Sequence, residues 1–422
     1  MTLASTASTR DFAVALGDRS PAPDLRPRGH LPALDGLRGI AISCVLLYHY
    51  LPMLGTQFPI IRECLGLMHS GWFGVDLFFV LSGFLITGIL CDTKSDPRYF
   101  RTFYARRTLR IFPLYYAVLA ANLLIAPRFL TPAPDLTSAL EHQASLWTYT
   151  SNIQQGLAAN WTFNTHTLAL GHFWSLAIEE QFYLFWPAVI FFLTRRQAIG
   201  ASVAILLLAP AIRFWMDWHG APALSIYLLS WCRADSLAAG ALAALLARGQ
   251  CGLSPLQRPA ILTLIITAIP LALIFFPTRE LNEASPPVYT LGFSLLASFF
   301  AALILRLLTF APTQRPYRFL TSRPLTMLGK YSYGLYVFHL VLIPIYHHYF
   351  GVPILRSHLH SYTLSLLVFA ALASACSLAA AKISWHLLEA PCLSLKRFFP
   401  YVRPASPGTA SPAALGVQSQ TQ

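Results

Sequence analysis

Arg38 and His49 lie eleven residues apart in the apolar stretch LDGLRGIAISCVLLYHYLPML, residues 34–54. At ~100° per residue, eleven steps return to within ~20° of the starting direction, so both share one helix face, ~16 Å apart along the axis. A histidine so placed is a candidate general base, and an arginine on the approach to it can hold an anion. A snorkelling arginine with a hydrogen-bonded core histidine fits the same spacing.

Four further groups carry possible chemistry. In FYARRTLRIFPLYY, Arg107 and Arg110 are three apart and therefore neighbours on a helix. Their planar forks suit phosphate oxygens, although a plain basic anchor reads the same way. In HFWSLAIEEQFYLFWP, Glu179 and Glu180 lie a few residues into an apolar helix, with His172 about two turns earlier. An acid there must pair, with Arg233 for instance, or protonate, or serve a polar cavity. WFGVDLFFVLSGFLITGIL places Asp76 near one end of its run and Ser82 and Gly83 in the middle. LGKYSYGLYVFHLVLI carries His339, which taken singly reads as a core histidine.

The elements that must position these residues are membrane helices. Of 422 residues, 55% are hydrophobic and only 11% charged, against about 25% charged in a soluble domain. The net charge of +13 reads as topological bias, with no basic tract or stacking platform for nucleic acid. The seven cysteines (44, 64, 91, 232, 251, 376 and 392) are scattered without a CxxC, so neither a disulfide framework nor a metal site is expected. Apolar runs occur near 34–54, 73–91, 111–126, 173–193, 198–216, 224–247, 259–277, 288–309, 331–350 and 362–388. They predict an all-α polytopic protein of about ten transmembrane helices. With the N-terminus inside, twenty-two Lys and Arg fall on inner segments and four on outer ones. That bias predicts cytoplasmic N- and C-termini. Residues 1–30 and 401–422 are expected to be disordered tails flanking one membrane domain at 31–400. The outer segment 128–171, aromatic and polar, could cover an outward-facing site.

Together and in this order, LDGLRGIAISCVLLYH, GVDLFFVLSGFLI, FYARRTLRIFPLYY, HFWSLAIEEQFYLFWP, LGKYSYGLYVFHL and the closing LLEAP resemble the acyltransferase 3 family of integral-membrane O-acyltransferases. The resemblance runs from about 31 to 400. It implies that His49 is essential and Arg38 its partner, that Arg107 and Arg110 help bind acyl-CoA, and that Glu179 is the acid of the S-L-x-x-E element begun by Ser175. On this reading His49 and Glu179 are catalytic. Arg38, Arg107, Arg110, Asp76, Ser82 and His339 contact substrate, with Asp76 and Glu179 forming an outer acidic cluster that orients the sugar or tunes His49. Such proteins take acetyl or another short acyl group from cytoplasmic acyl-CoA, a co-substrate rather than a resident cofactor. They pass it to a hydroxyl of a surface polysaccharide, glycolipid or secreted glycan. The expected setting is a bacterial inner membrane, with the lipid bilayer, acyl-CoA and a carbohydrate as partners and no nucleic acid. Acylation of a cytoplasmic small-molecule glycoside, and transport without catalysis, stay open.

Overall fold

The computed structural model describes residues 31–51, 66, 68–128, 134–249 and 252–401. The expected tails, 1–30 and all of 401–422 except Tyr401, lie outside the described residues. Among the described residues there are helices and no strand beyond an isolated bridge between Asn164 and Ala169.

Each of the ten apolar runs falls on a long helix. These are α1 (Pro32–Tyr50), α2 (Phe73–Asp92), α3 (Tyr99–Leu119), α4 (Phe173–Phe192), α5 (Arg195–Trp218), α6 (Ser230–Ala247), α7 (Gln257–Thr278), α8 (Phe293–Leu307), α9 (Arg323–Val341) and α10 (Tyr362–Ser384). The boundaries follow local chemistry. α1 starts with Pro32 in its first turn, where a missing N–H is no loss. It stops at Tyr50, short of the expected 54, because Leu51 precedes Pro52 and leaves the α region (φ −119°, ψ 75°). The division between the runs 173–193 and 198–216 falls at Thr194. Its side chain accepts from the Gln197 N–H, while the Gln197 side chain accepts from the Thr194 N–H at 2.9 Å, a capping box. The ninth run starts earlier than expected, at Arg323, and bends by 60° into the helices of 343–359, with Pro344 just past the break.

Among the described residues, six helices are long and apolar enough to cross a membrane, or seven if the bent pair counts as one span. α1, α4 and α6 fall short on apolarity because they carry Arg38 and His49, Glu179 and Glu180, and Arg233 and Asp235. Those residues sit inside the bundle rather than on its rim. The helix containing α2 is 78% buried along its apolar window, whereas that containing α7 is 11% buried. α2 is thus the centre of the bundle. α5 and α7 turn Leu207, Phe214, Ile265 and Leu273 outward, as lipid contact requires.

Of the helix pairs that approach at backbone distance through glycine, α1–α9 and α2–α6 are the tightest. A Cβ on Gly36 or Gly39 of α1 would meet the Leu320 and Leu325 carbonyl oxygens at 1.9 and 2.2 Å, and one on Gly329 of α9 the Asp35 oxygen at 1.9 Å. Between α2 and α6, Gly83 and Gly240 leave the same room, at 2.0 Å from the Leu237 and Val80 oxygens. Small residues at such crossings let helices pack where no hydrophobic effect drives them together.

The α2–α6 crossing aligns Asp76 with Arg233. Both are fully buried, and Arg233 Nη2 donates to both carboxylate oxygens at 2.9 Å, with Ser236 Oγ donating at 2.8 Å. Asp76→Ala, which strands this guanidinium, is expected to destabilise the fold by about 3–5 kcal/mol. Thermal unfolding in detergent measures it. The double change Asp76→Leu with Arg233→Met is expected to recover most of the loss, and an unaltered Asp76→Ala midpoint would refute the assignment.

Candidate active site

Five helices enclose a cavity of about 110 Å³, several times what one water needs. α1 contributes Arg38, α2 Phe78 and Ser82, and α3 Arg107 and Arg110. α4 contributes Ser175, Glu179 and Tyr183, and α9 Ser332, Tyr333 and Tyr336. On α4, residues 175, 179 and 183 recur at the four-residue spacing of one helix face, as do 332 and 336 on α9. That polar stripe on otherwise apolar helices was the available signal for Tyr183, Tyr333 and Tyr336, which the motifs alone did not single out.

The arginines divide into two kinds. Arg213 is bound to Asp235 at 2.9 Å, Arg233 to Asp76 at 2.9 Å and Arg248 to Asp92 at 2.7 Å. Those lining the cavity are not neutralised in this way. Among the described residues Arg38 pairs only with Asp35, at 3.6 Å, with a third of its side chain exposed. Arg107 lies over the rings of Phe103 and Tyr183, and Arg110 over Trp385 at 5.5 Å. Among the described residues neither makes an ion pair, and the buried Nε of Arg107 has no hydrogen-bond partner. Guanidiniums held on aromatic faces without a carboxylate are positioned to receive an anion.

At its other end the cavity closes on Ser175 and Tyr336, whose hydroxyls are 2.5 Å apart. The Tyr336 hydroxyl also lies 3.1 Å from the His172 carbonyl. Behind this wall stand three imidazoles in a row. The rings of His172 and His339 are 5.0 Å apart, and those of His339 and His49 4.9 Å. Backbone carbonyls fix a tautomer for each. His49 Nδ1 donates to Val45 at 2.9 Å, His339 Nδ1 to Tyr336 at 2.6 Å and His172 Nε2 to Val337 at 3.3 Å. A carbonyl only accepts, so each ring keeps its other nitrogen as a lone pair. Among the described residues no group of three His, Cys, Asp or Glu is arranged to hold a metal.

Several placements differ from the sequence reading. His49 lies in the last turn of α1, because the helix ends at Tyr50 and not at the expected 54. Glu179 shares the cavity with Ser82 and the arginines, whereas Asp76 is spent on Arg233 and does not line it. The two acids therefore do not form one outer cluster. Arg233, considered as a partner for Glu179, belongs to Asp76 instead. The structure brings Arg38, Arg107, Arg110, Ser82 and Glu179 into one space. It sets His339 beside His49 at that space's closed end. Segment 134–171 packs over one end of α3 and α4. Tyr115 and Tyr116 donate to the Leu146 and Trp147 carbonyls, and Gln181 donates to the Tyr149 carbonyl at 2.8 Å.

A family model described as "Acyltransferase domain", of the acyltransferase 3 type, matches residues 31–382. The chain belongs to that family. Curated relatives include the O-acetyltransferase OatA of Staphylococcus aureus strains NCTC 8325 / PS 47, COL and MRSA252. Each is 27% identical over 386 residues, covering 86% of this chain and 57% of the relative. The chain thus spans little more than half the length of these relatives. No solved structure matches it.

The unpaired arginines generate a prediction independent of any reaction. Pyrophosphate at a hundredfold its dissociation constant is expected to stabilise the protein by about 2.7 kcal/mol. A thermal shift should show this in wild type and lose it in the Arg107→Ala/Arg110→Ala double variant; no shift in wild type would remove the anion site.

Proposed function

We propose that this protein is a multi-pass membrane O-acyltransferase. It moves an acetyl or other short acyl group from acyl-CoA, bound from the arginine side, to a hydroxyl of a carbohydrate. One observation carries the reading: a cavity opens among three arginines, of which Arg107 and Arg110 have no carboxylate partner among the described residues, and closes against an imidazole file that ends in His49. Family membership and the acetyltransferase names of the relatives support the same class of chemistry. The charge bias of the segments supports ten spans with both ends cytoplasmic, so that the arginines meet the compartment where CoA thioesters are made. A bacterial cell membrane is the proposed location.

The donor's phosphates sit on Arg107, Arg110 and Arg38. Its pantetheine arm, ~15–20 Å when extended, matches the ~16 Å that separates Arg38 from His49 along α1. Tyr336 and the imidazoles beside it give way to the acyl end. His49 Nε2, left with a free lone pair because Nδ1 donates to Val45, takes the proton of the acceptor hydroxyl. The hydroxyl oxygen attacks the thioester carbonyl, the carbon–sulfur bond breaks, and the leaving thiolate recovers the proton from the imidazolium. The apolar surroundings keep water from competing for the thioester. Glu179, at the depth of the arginines and not of His49, orients the donor side of the cavity together with Ser82. His339, edge-on to His49, holds that ring in place. Asp76 acts at one remove, by fixing α2 against α6.

The test is transfer from radiolabelled acetyl-CoA in liposomes, with the donor on the arginine side. His49→Ala is expected to lower transfer by about 10²–10⁴-fold while the thermal midpoint stays near that of wild type. Full activity in His49→Ala would refute the assignment of the base. A wild-type protein that binds and consumes no acyl-CoA would refute the transferase reading itself.

A further inference from the structure

The segment after α10 is fastened to the arginine helix in a way the proposed donor site leaves unexplained. Beyond a wide turn at Trp385–Glu389 the chain runs through Ala390–Ser394 and Leu395–Phe398 back along α3. Arg106 holds it there. Its Nη1 donates to the carbonyls of Lys396 at 3.2 Å and Phe399 at 3.0 Å, and its guanidinium lies over Tyr401 at 4.6 Å. Arg101 adds a second contact, 6.0 Å from the Phe399 ring.

The clamp leaves the Lys396 side chain half-buried within electrostatic reach of Arg106, Arg107 and Arg110. Among the described residues its ammonium has no carboxylate and no hydrogen-bond acceptor. Like charges gathered in a partly dry setting repel one another unless an anion joins them. Arg106 holds the Lys396 backbone against α3, which keeps the root of its side chain beside the arginines, and Arg106 Nη1 is itself taken by two carbonyls.

We infer that Lys396 binds a phosphate of the donor, and specifically the phosphate on the ribose of its nucleotide end. This rests on the acyl-CoA reading above. Arg38, Arg107 and Arg110 line the cavity and lie where the diphosphate meets the pantetheine arm. Lys396 lies outside that lining, and its backbone is bonded to Arg106, which is farther along α3 than Arg107 and Arg110 from Tyr115 and the Phe173–His172 end. In CoA the 3′-phosphate is the group on that farther side.

The experiment compares binding of acetyl-CoA and acetyl-dephospho-CoA, which lacks only the 3′-phosphate, to the full-length protein in detergent. Wild type is expected to prefer acetyl-CoA by about tenfold or more, the size of one charge-assisted hydrogen bond. In Lys396→Met the preference falls to near one, and Lys396→Arg restores it. Arg107→Ala/Arg110→Ala weakens both donors alike and keeps the preference. A wild type without preference, or a Lys396→Met variant that keeps it or loses affinity for both donors equally, would overturn the inference. Failure of wild type to bind either donor would overturn the donor reading, and this inference with it.

Discussion

Two backbone-to-backbone crossings set the geometry on which everything else depends. Where α1 meets α9 and where α2 meets α6, glycines let main chains touch at distances that no side chain would permit. In a bilayer such contacts stand in for the hydrophobic drive that packs soluble helices. The first crossing fixes α1, and so Arg38 and His49, against the helix that carries Ser332, Tyr336 and His339. The second fixes α2 and brings Asp76 to Arg233. Remove either and the cavity loses two of its five walls or the centre of its bundle.

Charge is then sorted by position. Away from the cavity Arg213, Arg233 and Arg248 each have an aspartate, in places with further hydroxyl or carbonyl partners. Arg213, for example, also reaches the Thr290 carbonyl at 3.2 Å and Ser294 Oγ at 2.7 Å. Arg107 and Arg110, at the cavity, have aromatic rings and no aspartate. Rings orient a cation without cancelling its field, so the positive potential at the mouth survives until an anion arrives. Glu179 and Glu389 temper this field without forming an ion pair within it; Glu389 is buried and bonded to Ser384 Oγ at 3.3 Å.

Much of the fold was legible because membrane helices announce themselves one at a time. Each apolar run became a helix, and Arg38 with His49, or Arg107 with Arg110, could be placed on common faces from spacing alone. Relations between helices were not legible. Nothing in the chain states that His172, His339 and His49 meet, since the contacts span 167 residues of sequence between the first and second and 290 between the second and third. The pairing of Asp76 with Arg233 rather than of Glu179 with Arg233 is likewise decided by packing. The early end of α1 was readable in principle from Pro52, yet the apolar run through Pro52 masked it. The hydropathy of α1, α4 and α6 understates their burial for a physical reason. The residues that make these helices useful are the ones that make them look polar.

The Asp76–Arg233 pair also bears on how the protein is made. The chain is synthesised from the N-terminus, so α2 is complete long before α6, and 157 residues separate the two partners. Asp76, in the first turn of α2, costs less than the about 2.5–3.5 kcal/mol of an aspartate at a helix centre, and α2 is otherwise apolar enough to absorb that. α6, which carries both Arg233 and Asp235, has little such reserve. It depends on finding α2 already in the membrane, with an unpaired acid waiting at the right depth. Biogenesis is therefore ordered: the early helix is a template, and the late one is retained by docking against it.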